Sequence, residues 1–146
     1  MTEKDFMTRN ATFIYKEIIV RCCREIIPNH EGYRITSKKM NAFLSKYKIR
    51  IRVESSFLDN LEKDNPMDNY VYCTYSYHKK KQYNKVVSIF LHLRNSFAHA
   101  RVQEIENGKY IYMEDYDTHR NVITMKSQIE KRLFRKFMEA LVTLTK

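Results

Sequence analysis

The sequence predicts a mainly α fold, a helical bundle with a small antiparallel β-hairpin before its last helix. Three observations predict it. Glycine and proline number only two each in 146 residues, so connections are few and short. Long stretches repeat apolar residues at three- and four-residue spacing, the period of a helix with one buried face. Asn107-Gly108, the strongest short hairpin signal, separates two short strand-like runs. A chain of this length, 43% hydrophobic, fills one core, so residues 1–146 form a single domain.

Residues 5–27 open the chain as a long helix. Phe6, Phe13, Ile14, Ile18, Cys22 and Ile26 fall near one stripe, and Pro28 stops it. His30 sits in the following turn and reads as solvated. Thr36 and Ser37 cap a second helix with Met40, Phe43, Leu44 and Tyr47 apolar. Residues 48–53 alternate, with Ile49, Ile51 and Val53 opposite Lys48, Arg50 and Arg52, as a short strand or extended connector. Three cations on one face suit a phosphate backbone and equally suit plain solvation. Ser55-Ser56 leads a short helix through Phe57, Leu58 and Leu61, stopped before Pro66.

Four tyrosines within residues 70–77 favour extended chain. His78, Lys79, Lys80 and Lys81 follow. Two readings compete here: tyrosines packed at the edge of the bundle beside solvated lysines, or rings that stack bases while the lysines hold phosphate. The central helix spans residues 80–98 and buries Val86, Ile89, Phe90, Leu93 and Phe97. Residues 101–105 and 110–115 form the hairpin, and residues 122–124 add a third short strand. Ser127 caps a last helix with Ile129, Leu133, Phe137, Ala140, Leu141 and Leu144 at core spacing.

Charge narrows the function. The formal net charge is +10, spread over both halves of the chain, and a folded basic domain implies an anionic partner, most often nucleic acid. No run reaches the length of a membrane span, and no helix sets a basic face against a clear apolar one. The first residues carry acids and lack a secretory apolar core. Three cysteines, two of them adjacent, make neither a disulfide framework nor a metal finger. They read as small buried hydrophobes in a reducing cytoplasm.

The chemistry concentrates at the end of the central helix, in Arg94, Asn95 and His99. A guanidinium donates two hydrogen bonds to a phosphate at once, and histidine exchanges a proton near neutral pH. RNA brings its own nucleophile, the 2′-hydroxyl. A protein that cleaves it therefore needs an imidazole to move the proton and a cation for the charge on the phosphorane. His99 and Arg94 fill those roles, and Asn95 orients His99 or the phosphate. Asn95 and His99 share a helix face, but Arg94 and His99 are five residues apart, about 140° around the axis. Two copies of the helix meeting across a two-fold axis remove that difficulty. Arg101, Lys79, Lys80 and Lys81 are candidate RNA contacts.

His92 lies two turns before His99 and reads as structural. Ser96 lacks an Asp partner. A divalent-ion alternative rests on Glu114, Asp115, Asp117 and His119, but acids crowded between short strands are more often turn residues, and no second cluster supports a two-metal nuclease. No phosphate-cradling glycine loop exists, so a nucleotide cofactor is not expected, and the metal reading ranks below the Arg94/His99 site, so no metal is expected either.

The run Arg94-Asn95-Ser96-Phe97-Ala98-His99 resembles the Arg-x4–6-His signature of the HEPN superfamily, which often has a polar residue right after the arginine. The surrounding stretch from Tyr83 to Leu144 resembles the small stand-alone HEPN nucleases of bacterial defence and plasmid systems. That resemblance implies an HEPN-like bundle, usually dimeric, acting as a metal-independent endoribonuclease that leaves a 2′,3′-cyclic phosphate. It also implies a toxin or antiviral-defence role and an antitoxin of nucleotidyltransferase type. The alternative is an HEPN-like module that binds RNA or dimerises without cutting.

Overall fold

A computed structural model describes residues 3–56 and 69–146. The chain starts as one long helical run: α1 (Glu3–Arg9), α2 (Ala11–Phe13) and two π-helical stretches, Ile14–Val20 and Cys22–Ile26. The wider π turns are visible in Ile27, whose N–H donates to the carbonyl of Cys22, five residues back. Most of the predicted stripe is buried: Phe6, Ile14, Ile18, Cys22 and Ile26 are each at most 4% exposed, while Phe13 is half-buried. A 3-10 turn at His30–Gly32 then leads to α3 (Lys38–Tyr47). Ser37 caps α3 as expected, its hydroxyl accepting from the Met40 N–H.

The expectation of a mainly helical bundle is overturned by a five-stranded mixed sheet. The strands are β1 (Ile49–Glu54), β2 (Asn69–Thr74), β5 (Val102–Ile105), β6 (Tyr110–Asp117) and β7 (Val122–Glu130), in the order β1-β2-β7-β6-β5. β1 and β2 run parallel, and every other pairing is antiparallel. The predicted hairpin exists, with Glu106, Asn107 and Gly108 all at positive φ, but it is two strands of a sheet rather than an appendage. A small ladder, β3 (Tyr77–His78) with β4 (Lys81–Gln82), precedes the central helix α4 (Lys85–Ala98). That helix therefore starts five residues later than expected. Asn84 is its cap, accepting from Val87 N–H and donating to the carbonyls of His30 and Tyr33.

Residues 48–53 and 70–77, expected to be extended, supply β1 and β2, but nothing local marks them as members of one sheet. Asn69, Tyr70, Val71, Tyr72 and Cys73 are all buried, so β2 lacks the alternation that announces a half-solvated strand. β7 continues to Glu130, well past the three residues expected. Ser127 is not a helix cap. It lies inside β7, where its hydroxyl donates across the ladder to the Tyr70 carbonyl. Ile129 and Leu133 are four residues apart, a spacing that a strand running into a helix imitates. After a 3-10 turn at Lys131–Leu133 the chain closes with α5 (Phe134–Thr143). The short helix expected over residues 57–61 lies outside the described residues.

α4 packs against β6, β2 and β1, and the N-terminal helical run lies against both α4 and β5. Phe6, Phe97 and Phe134 meet at this junction, with ring centroids 5.5–6.4 Å apart. Arg21 binds Glu17, Glu25 and Glu139, which ties the N-terminal run to α5. Cys22 and Cys73 are buried, as expected of small hydrophobes, but Cys23 is exposed. Among the described residues no helix is long and apolar enough to cross a membrane.

Candidate functional site

α4 is buried along most of its length, and its last turn delivers the polar residues. Val86, Val87, Ile89, Phe90, Leu93 and Phe97 pack into the core, while Ala98, His99 and Ala100 come out into solvent. His99 is the residue that ends the helix, its N–H donating to the Asn95 carbonyl. Its imidazole makes no hydrogen bond within the described residues. Ala100 turns at φ 55°, and Arg101 then enters the sheet region with its guanidinium 4.9 Å from the Tyr116 ring centroid.

Arg94 takes the opposite course. It is half-buried beside Cys22 of the N-terminal helical run, and its Nε is buried without a hydrogen-bond partner. Burial raises the Cys22 thiol above its usual range, and the neighbouring guanidinium opposes that rise. Arg94 is thus half-buried against the N-terminal helical run, whereas His99 is exposed just past the end of α4.

Asn95 belongs to a network that the sequence did not disclose. Its amide nitrogen donates to Asp115 Oδ2 at 3.1 Å, and His92 Nδ1 reaches the same oxygen at 2.7 Å. The Tyr116 N–H donates to Asp115 Oδ1 at 2.8 Å. His92 Nε2 lies 2.8 Å from the Thr74 carbonyl, which can only accept, so that ring nitrogen carries hydrogen. Asp115 is 4% exposed. Burial pushes its carboxyl up, but the bonds from His92, Asn95 and Tyr116 outweigh burial and hold it below the usual carboxylate range. The network bolts the end of α4 to β2 and β6. The position of His92 in the helix marks it as structural, but only the sheet reveals Asp115 as its partner.

The other predicted residues divide. Lys79, Lys80 and Lys81 are exposed in and beside the β3–β4 turn, with Lys81 3.7 Å from Glu31. They stand before the first turn of α4, whereas His99 and Arg101 follow its last. Fourteen residues of helix, roughly 20 Å, separate the two groups. Of the acids weighed as metal ligands, Asp115 faces the network, and Asp117 closes a turn by accepting from the N–H groups of His119 and Arg120 and pairing with the Arg120 side chain. Among the described residues no three His, Cys, Asp or Glu side chains gather as a metal site.

A cavity of about 630 Å³ adjoins the network. Thr74 and Tyr116, both bonded to it through their backbones, form part of the wall, and Tyr75, Tyr77, Arg120 and Thr124 contribute others. The β6–β7 ladder slips between Asp115 and Tyr116, so Thr124 is an extra residue opposite this point.

An α4 that carries Arg-Asn-x3-His at its solvent end, in a strongly basic chain, defines a HEPN-type domain. The family model that matches is HEPN pEK499 p136, over residues 7–146, and the chain belongs to that family. No curated protein and no solved structure matches it. Membership supports an RNase or nucleotide-related function at the level of the class.

Proposed function

We propose that the protein is a metal-independent endoribonuclease. It cleaves RNA by attack of the 2′-hydroxyl and leaves a 2′,3′-cyclic phosphate. The observation that carries the reading is His99: an imidazole with no described partner, in solvent, at the end of an otherwise buried helix. In this reading His99 moves the proton and Arg94 stabilises charge on the non-bridging oxygens. Asn95 is held by Asp115, so it acts through the position of the helix end. Arg101, displayed on Tyr116, holds the neighbouring phosphate, and Lys79, Lys80 and Lys81 extend the basic track.

Because Arg94 is drawn toward Cys22 while His99 stands exposed past the helix end, and the two are five residues apart, the active unit in this reading is a homodimer in which each site takes Arg94 from one protomer and His99 from its partner. The sequence resemblance to stand-alone HEPN nucleases extends the proposal to a toxin or defence role with an antitoxin partner, which co-expression growth assays test.

The direct test is cleavage of a fluorescent RNA in excess EDTA. Wild type cuts, and His99→Ala and Arg94→Ala each lose about 10²–10⁴-fold. Loss of wild-type activity in EDTA, or full activity in either variant, refutes the mechanism. Mixing the two inactive proteins tests the shared site. Half the dimers are then mixed and each holds one intact site, so about a quarter of wild-type activity returns. No recovery rejects the composite arrangement.

A second reading is supported by Asn95 and Arg94, both drawn inward. It makes the domain an RNA-binding or dimerisation module without turnover. RNA bound by wild type and His99→Ala with equal affinity, and cut by neither, selects it.

A further inference from the structure

We infer that the cavity beside the network is a nucleobase subsite, which seats one base of a bound RNA strand against Tyr75, Tyr77 and Tyr116. This deepens the ribonuclease reading and rests on it for the identity of the strand. Four observations carry it.

The first is composition. The cavity is about 630 Å³, inside the range of roughly 300–1,000 Å³ typical of small-ligand sites, and three tyrosines line it with Arg120, Thr74 and Thr124. Aromatic faces accept any base by stacking, and hydroxyls and a guanidinium serve the polar edge and the phosphate. The second is accessibility. Tyr77 is 54% exposed and its hydroxyl donates to Gln82 at 2.7 Å, while Tyr75 and Tyr116 are half-buried. By contrast Tyr70 and Tyr72 stack on each other and are buried, so the tyrosine-rich segment splits into a packed half and a half that faces the cavity.

The third observation is continuity with the candidate site. Tyr116 lines the cavity and also carries the Arg101 guanidinium at 4.9 Å. Its own N–H is held by Asp115, the residue that holds Asn95 and His92. Thr74, another wall residue, accepts from His92. The cavity therefore shares its scaffold with the end of α4. The fourth is the slip in the β6–β7 ladder at Thr124, a local irregularity of the kind that re-aims side chains beside functional sites.

The test is binding of a fluorescein-labelled 2′-O-methyl RNA hexamer, which lacks the attacking hydroxyl and survives intact. An abasic 2′-O-methyl strand of equal length is the comparison. Wild type is expected to prefer the base-bearing strand by about tenfold or more. The Tyr75→Leu/Tyr77→Ser protein is expected to bind both strands equally, at the weaker level. Should that protein fail to fold, the pair Tyr116→Phe and Tyr116→Leu replaces it: the first keeps the ring and the preference, the second loses the preference.

Equal binding of both strands by wild type, or a preference undiminished in the tyrosine variants, overturns the subsite. Free AMP bound as tightly as the hexamer, and displaced by the same variants, overturns the assignment to a strand and makes the cavity a mononucleotide site. The two readings fail separately. A tyrosine-dependent base preference in a protein that cuts no unmodified RNA leaves the subsite and removes the nuclease. Unaltered kcat/KM with no base preference does the reverse.

Discussion

Replacing Asp115 with Asn isolates the bolt that holds the end of α4. The wild-type carboxylate is 4% exposed and accepts three hydrogen bonds, from His92 Nδ1, Asn95 Nδ2 and Tyr116 N–H. Asn keeps the shape and one acceptor oxygen, so the bond from Tyr116 survives. The amide NH2 then faces the Asn95 amide, which is a donor in the wild type, and His92 Nδ1 loses its contact with a charged oxygen. Hydrogen bonds to a charged group are worth about 1.5–3 kcal/mol, and a buried polar group left unsatisfied costs about 1–3 kcal/mol. After relaxation the loss should be about 2–4 kcal/mol. For a chain of this size that is roughly 5–15 °C in Tm.

The sign of the pH dependence follows from the depressed carboxyl. Its stabilisation is complete above the unfolded carboxyl value, near 3.9, and disappears as pH falls through the lower folded value. Urea unfolding of both proteins at a series of pH values from about 7 to 2 reads both quantities. The difference between them should be large at neutral pH and shrink in acid, as the wild type loses what the variant never had. A difference under about 0.5 kcal/mol at pH 7, or a gap that does not change with pH, refutes the reasoning. A double-mutant cycle with Asn95→Ala apportions the coupling.

Arg94→Met should leave the Tm level with wild type or slightly higher, because it removes a buried Nε that has no partner and keeps the stem, while RNA cleavage is lost; thermal melts and a cleavage assay on one preparation check both. Phe134→Ala should cost about 3–5 kcal/mol in urea unfolding, since its ring meets Phe6, Phe13 and Phe97 at the junction of the N-terminal helical run, α4 and α5. Changing Lys79, Lys80 and Lys81 together to Gln should reduce the slope of log K against log salt for single-stranded RNA by about 0.7 for each phosphate that is no longer neutralised. Those lysines stand at the far end of α4 from His99, so cleavage at saturating RNA should be unchanged; an altered kcat would mean that they reach the reacting phosphate.

The helices were written locally. A stripe from Phe6 to Ile26 fits only a helix with one buried face, Ser37 caps α3 through its own hydroxyl, and Asn107-Gly108 can take the positive φ values of a tight turn. The family signature is equally local, six consecutive residues at the end of α4. The sheet was not written that way. β2 is buried on both faces and shows no period of two, and its parallel neighbour β1 comes from a separate stretch of chain with no shared turn to mark the pairing. Ser127 and Ile129 suit a helix start as well as a strand, and the contest is settled by Tyr70, 57 residues away. Placement of the site was decided at the same level. Residue spacing puts Arg94 and His99 on different sides of a helix, but only packing shows that Arg94 lies beside Cys22, that Asn95 is claimed by Asp115, and that Thr74 and Tyr116 bring a tyrosine-lined cavity to the same scaffold. Hydrogen bonds within one turn can be read from neighbours in the chain, whereas those between strands depend on which distant segments share a core.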